Sequence, residues 1–169
     1  RTAGFNTADL DKMTDSGKMG MVLLMVIGGS PGSTAGGMKT TTAAVLFAMA
    51  ISVFRKNEQA HLYNRRIAEE TQRNAATIFV LYMMLFTGSA MVISYVEKVP
   101  LVTAFFETGS AIGTVGLSLG LTPTLGLASR LVLICLMFFG RVGGLTLIFA
   151  TVSGKRTEYK YPQEKITVG

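Results

Sequence analysis

The sequence predicts an all-α integral membrane protein, and three observations carry that prediction. Charge is sparse: 15% of residues are charged, against about 25% in soluble domains. Apolar residues are gathered in blocks. Residues 74–96 (NAATIFVLYMMLFTGSAMVISYV) hold no charge, and they match the roughly 20 residues that a bilayer-crossing helix needs. The basic residues are segregated. Residues 54–73 carry Arg55, Lys56, Arg65, Arg66 and Arg73, and the tail carries Lys155, Arg156, Lys160 and Lys165, whereas 97–126 carries only Lys98.

Lys and Arg mark the inner side of a membrane. The loop 54–73 and the tail are therefore read as cytoplasmic and 97–126 as external. The run 74–96 goes outward, 127–152 returns, and 20–54 goes inward. The net charge of +6 follows from this sidedness, so the partner it implies is a lipid bilayer and no nucleic acid. The lone Cys135 excludes a disulfide framework and is expected as a small buried hydrophobe. His61 has no second ligand nearby, so no metal site is expected other than for a transported ion.

The apolar run 20–54 cannot be one helix. Its 35 residues would extend about 52 Å at 1.5 Å each, well past a hydrocarbon core of roughly 30 Å. A break is predicted at Gly28, Gly29, Ser30, Pro31, Gly32, Ser33, Thr34, Ala35, Gly36 and Gly37. Pro31 cannot continue a helix, and the hydroxyls can satisfy the freed backbone. With Lys39 and Thr40 the stretch imitates a phosphate-binding loop. However, Met38 intervenes before Lys39, and the GxxxxGK[ST] pattern also needs a preceding strand. A membrane ATPase is thus a weak rival, and no nucleotide is expected on this chain.

Residues 99–113 (VPLVTAFFETGSAIG) are helix-like but too short to span, with Pro100 at the start. The uncharged, glycine-rich TVGLSLGLTPTLG follows. Irregular backbone at membrane depth is tolerated only within protein or along a water-filled path. A half-helix followed by such a strand is the design of a pore loop, with the negative helix end turned toward a cation. Thr114, Val115 and Gly116 match the first three positions of the TVGYG filter loops of potassium channels, whereas Leu117 and Ser118 do not. The first residues repeat this pattern: Thr2, Gly4, Phe5 and Asn6 align with Thr114, Gly116, Leu117 and Ser118. The unit is span, re-entrant helix, filter strand, span. Its second copy is complete and its first lacks the opening half. The chain is therefore expected to be part of a longer polypeptide, with two of four units present and two upstream. Residues 1–73 form the partial unit with its cytoplasmic linker, and 74–169 form the complete unit with its tail.

RTAGFNT, GGSPGSTAGGMKTTT, SAIGTVGLSLG, FFGRVGG and YPQEKITVG together resemble the Ktr/Trk/HKT superfamily of potassium transporters, closest to its Ktr-type pore-forming subunits. The resemblance implies four potassium-channel-like units in one polypeptide of a prokaryotic cell membrane. It implies homodimers and a cytoplasmic ring of nucleotide-binding regulatory subunits. It makes potassium the transported ion and assigns the filter to Thr2, Ala3, Gly4, Phe5, Asn6, Thr114, Val115, Gly116, Leu117 and Ser118. It makes residues 28–37 an intramembrane gate. No enzyme activity is expected. A sodium-coupled secondary transporter is the rival transport reading, and sodium activation stays open.

Three sets of charged residues each have two readings. Arg141 falls near the middle of the last run, where a charge normally faces a cavity or a partner. It either ties carbonyls inside the bundle or repels cations below the filter while bonding the glycine loop. Glu107, seven residues before Thr114, is preferred as a buried carboxylate supporting the filter over a direct ion ligand. Asp9, Asp11 and Asp15 either attract cations at an outer mouth or form a solvated loop with Lys12 and Lys18, and the loop is preferred.

Overall fold

The computed structural model describes residues 3–10, 12–56, 59–62, 65–143. Thr2, Asp11, Gly144 and the basic tail fall outside this range. The described chain is a set of helices: α1 (Asp15–Val26), α2 (Thr40–Phe54), α3 (Glu69–Glu97), α4 (Leu101–Ile112) and α5 (Leu127–Val142). A two-stranded antiparallel ladder, β1 (His61–Leu62) with β2 (Arg65–Arg66), sits between α2 and α3. A 3₁₀ turn, Thr122–Thr124, precedes α5.

The predicted break is present, since helix stops at Val26 and resumes at Thr40. Thr14 opens α1 by accepting the Gly17 N–H at 3.2 Å, with Asp15 favourably placed in the first turn. Glu69 and Glu70 do the same for the start of α3. The α5 helix has Gly126 at its N-cap and no side-chain cap of its own. Glu97, at the end of α3, supplies one: its carboxylate accepts the Gly126 N–H at 2.9 Å and the Ser129 hydroxyl at 2.6 Å. This clasp fixes how α3 and α5 cross. The hairpin within the basic loop was not signalled by the sequence, which offers no apolar alternation there.

The short helix α4 is the centre. It packs against α1, α3 and α5, and every residue from Phe106 to Ile112 is buried. Around it the contacts are made by small residues. Ala90 and Ala104 are fully buried, and a Cβ on Gly109 would already touch Val22 and Phe86 at 3.4 and 3.5 Å. Helices in lipid have little hydrophobic reason to associate, so close packing over small residues supplies the attraction. Phe86 and Phe105 add a tilted ring pair at 5.1 Å.

The outer surface has the same character. The 29-residue helix α3 is long and apolar enough to cross a membrane, and only 28% of its most apolar stretch is buried. Val80, Met84, Met91 and Tyr95 face outward from it. On α5, Leu131, Ile134, Met137 and Phe138 are exposed. A helix apolar on all sides is a helix for lipid or for the core of a larger bundle. Cys135 shares this outward face of α5 and is exposed, not buried as its apolar neighbourhood led us to expect. An apolar run in a span reports only that no water is near, not which side faces protein.

Gly140 is where α5 crosses α4 most closely: any Cβ there would collide with the Ile112 carbonyl. Gly88, in the middle of α3, meets nothing within 4 Å. Gly140→Ala in the full-length protein should therefore lower the midpoint of thermal unfolding in detergent. Gly88→Ala should be neutral or stabilising by about 0.5–1 kcal/mol, because Ala is the better helix former. Equal effects from the two variants would contradict this packing.

Candidate functional site

The end of α4 is closed by a tight left-handed turn. Thr114 N–H bonds the Ala111 carbonyl at 3.1 Å, and Val115 N–H reaches back to the Ser110 carbonyl at 2.8 Å. This pair of bonds places Thr114 at the C′ position, which glycine normally fills. Thr114 has φ +50°, a strained conformation for a β-branched residue. The next residues alternate: Val115 and Leu117 point into the core while Gly116 is exposed.

Gly4 and Gly116 both take positive φ, +78° and +89°, which glycine adopts without strain. The chain at Gly4 and the T-x-G segment 114–116 lie side by side here. A Cβ on Gly4 would come within 2.7 Å of the Val115 carbonyl oxygen, and one on Gly116 within 3.5 Å of the Gly4 Cα. Ala3, Phe5 and Asn6 are exposed beside them, and Asn6 bonds the Ala8 carbonyl.

Below the turn lies the glycine loop. Its neck is tied by a single parallel bridge between Ile27 and Met38. Gly28 N–H bonds the Met38 carbonyl at 2.7 Å, Met38 N–H the Val26 carbonyl at 3.2 Å, and Thr40 N–H the Gly29 carbonyl at 3.1 Å. Gly28, Gly36 and Gly37 are buried, while residues 30–34 are exposed. The returning limb is wedged between the T-x-G turn and α5. Gly36 N–H donates to the Thr114 hydroxyl at 2.8 Å, and Gly37 N–H to the Gly140 carbonyl at 3.3 Å. A Cβ on Gly36 would sit 2.6 Å from the Thr114 methyl and 2.9 Å from the Gly140 carbonyl oxygen.

Two cations hold the tip. The Lys39 ammonium donates to the Ser33 and Ala35 carbonyls at 3.1 and 2.7 Å. The Arg141 guanidinium, from the last turn of α5, donates to the Thr34 carbonyl. Three successive carbonyls of the loop thus face positive charge. Lys39 is engaged with the loop's own backbone, and among the described residues no strand precedes the stretch.

Glu107 lies behind the T-x-G segment, 3% exposed. One oxygen accepts the Ser118 hydroxyl at 2.6 Å and the Leu119 N–H at 3.0 Å, and the other accepts the Thr122 hydroxyl at 2.9 Å. With its acceptors facing the strand that follows Gly116, it ties that strand to α4. Asp9 pairs with Lys12 at 3.1 Å on the surface, and Asp15 starts α1. Among the described residues no cluster of three or more His, Cys, Asp or Glu could hold a metal.

The sequence reading did not find Lys39 as a loop clamp, having weighed it only against nucleotide binding. The glycine beside Arg141 marks a place where another backbone can approach closely, and the loop is the backbone that meets Gly140.

The family of cation transport proteins designated TrkH matches residues 1–159. The chain is 41% identical to a potassium/sodium uptake protein of Enterococcus hirae, across 100% of this chain and 39% of that protein. It is 34% identical to the Ktr system potassium uptake protein B of Bacillus subtilis, across 100% and 38%. It is also 34% identical to the protein of that description from Vibrio alginolyticus, across 100% and 37%. The chain therefore spans about two fifths of the length of these relatives.

Removing the Glu107 carboxylate would leave two hydroxyls and one amide without their acceptor. Bonds to charged groups are worth about 1.5–3 kcal/mol each, so Glu107→Ala should cost about 3 kcal/mol or more of stability in the full-length protein. Glu107→Gln, which keeps one acceptor, should cost less. Thermal unfolding in detergent distinguishes this order from its reverse.

Proposed function

The chain belongs to the TrkH family of cation transport proteins, and we propose that it contributes two of four pore units to a potassium pathway across a prokaryotic cell membrane. Residues 1–73 are the later part of one unit and 74–169 a complete one, with the C-terminal tail on the cytoplasmic side. The observation that carries this reading is the meeting of the Gly4 and Gly116 backbones with a glycine loop whose tip is bonded by Arg141. The unit repeat is supported by spacing. Asp15 and Leu127 each begin a helix eleven residues after the T-x-G glycine, and Gly28 and Gly140 each follow it by 24.

In this reading residues 2–6 and 114–118 form part of a selectivity filter, and Glu107 holds the second strand rigid. Backbone carbonyls of the strands replace water around the ion, and the α4 C-terminus turns its negative end the same way. The loop 28–37 crosses the route inward beneath Thr114. Held by Lys39 and Arg141, it presents net positive charge and closes the path to cations. Opening requires the exposed tip to leave while the glycine limbs bend. The loop would be controlled by a cytoplasmic ring of nucleotide-binding subunits bound to a homodimer. This chain itself would carry potassium and no nucleotide. One observation favours a second reading, sodium-coupled symport: the Enterococcus hirae relative is named a potassium/sodium uptake protein.

Rubidium uptake into liposomes containing the full-length protein tests both. Uptake that follows the potassium gradient alone is expected. Accumulation against it, driven by a sodium gradient, would support symport instead. Deleting residues 30–35 should raise uptake. Arg141→Ala should raise it about tenfold, the equilibrium shift from one lost charge-assisted bond. Unchanged or abolished uptake in a folded protein would overturn the gate.

A further inference from the structure

We infer that the Thr114 hydroxyl is a latch shared by the loop and the permeating cation, so that an ion arriving at the base of the T-x-G strand releases the loop. The inference rests on the reading of residues 28–37 as a gate, and it adds the residue that couples this gate to ion occupancy.

The case begins with a conflict. The C′ position of the α4 turn suits glycine, and the chain has Thr114 there at φ +50°. A strained residue retained at a functional junction points to its side chain. What that side chain does is visible: its oxygen accepts the Gly36 N–H at 2.8 Å. A second feature points the same way. Gly36 is so close to the Thr114 methyl and hydroxyl and to the Gly140 carbonyl that no Cβ fits, so the shape of the surroundings presses this limb of the loop against the Thr114 oxygen.

A hydroxyl oxygen has two lone pairs and one hydrogen. A cation bound to it would stand beside the positive end of the Gly36 N–H dipole, and the two repel. Loop docking and cation binding at Thr114 therefore oppose each other. By linkage the effect is reciprocal: the ion loosens the loop, and the released loop tightens the ion site by the same factor. Val115 and Leu117, whose side chains are buried, offer no comparable polar group. Lys39 bonds the Ala35 carbonyl of the same peptide unit that offers the Gly36 N–H, and Arg141 the Thr34 carbonyl one unit before it, so both cations hold the loop beside this contact and add their charge to the repulsion of an arriving ion.

The test reads the loop and not the flux. Gly32 has open space around any Cβ, so Gly32→Cys in a full-length protein whose other cysteines, Cys135 among them, are replaced by Ala reports the exposed tip. Its rate of labelling by a small thiol reagent should rise with potassium and not with N-methylglucamine. Thr114→Val should raise the rate in the absence of potassium about fivefold, the shift expected for one lost neutral hydrogen bond, and should abolish the potassium dependence. Thr114→Ala carries the same expectation with a smaller side chain, should the valine variant not fold. Thr114→Ser, which keeps the hydroxyl, should behave as the parent. A low, potassium-dependent rate in Thr114→Val or Thr114→Ala overturns the latch, and so does loss of the dependence in Thr114→Ser. Because labelling reads the loop and not transport, failure of the latch here is distinguishable from failure of the gate in the loop-deletion experiment.

Discussion

Backbone packed directly on backbone beneath α4 is the constraint on which the rest of this structure depends. The Ile112 carbonyl lies against Gly140, the Gly140 carbonyl faces Gly36 and Gly37, and the Val115 carbonyl faces Gly4. Side chains at any of these glycines would push the segments apart and open the site. Irregular backbone in a membrane protein must also satisfy its polar groups without bulk water. That requirement explains the partners found here. The loop neck bonds to itself, its returning limb bonds Thr114 and Gly140, and its tip bonds Lys39 and Arg141.

The charges follow from the same need. Lys39 sits at the N-terminus of α2, the end of a helix that disfavours a cation. Its two carbonyl bonds offset that cost, and Arg141 meets the carbonyl between them. Loop and cations form a unit that is internally satisfied when docked and electrostatically hostile to a passing cation. Glu107 balances the other side of α4 in the opposite sense, with a buried acceptor for the strand's donors. In the proposed reading the strand above stays rigid and the loop below is the part that releases.

Much of this was legible because membrane thickness is a hard ruler. The break between Val26 and Thr40 follows from the length of the apolar run and from Pro31, and α4 follows from a helical pattern too short to span. The placement of Glu107 against the backbone of the following strand was also foreseeable, since a carboxylate on a buried helix has to find donors nearby. Other features were not legible. The left-handed Thr114 breaks local preference, so propensity points to glycine there. The Lys39 clamp is a matter of loop closure over six residues, which no periodicity records. The exposure of Cys135 depends on which side of a helix meets protein, and the pairing of His61–Leu62 with Arg65–Arg66 on strand contacts in a polar loop.

The central claim is that the two T-x-G segments form one wall of a cation path. It is tested most directly by soaking crystals of the full-length protein in rubidium and locating the anomalous scattering. The account predicts a peak coordinated by backbone oxygens of both residues 3–5 and 114–116, above the Gly36–Thr114 contact. Rubidium bound elsewhere, with the space between Gly4 and Gly116 empty at saturating concentration, would contradict it.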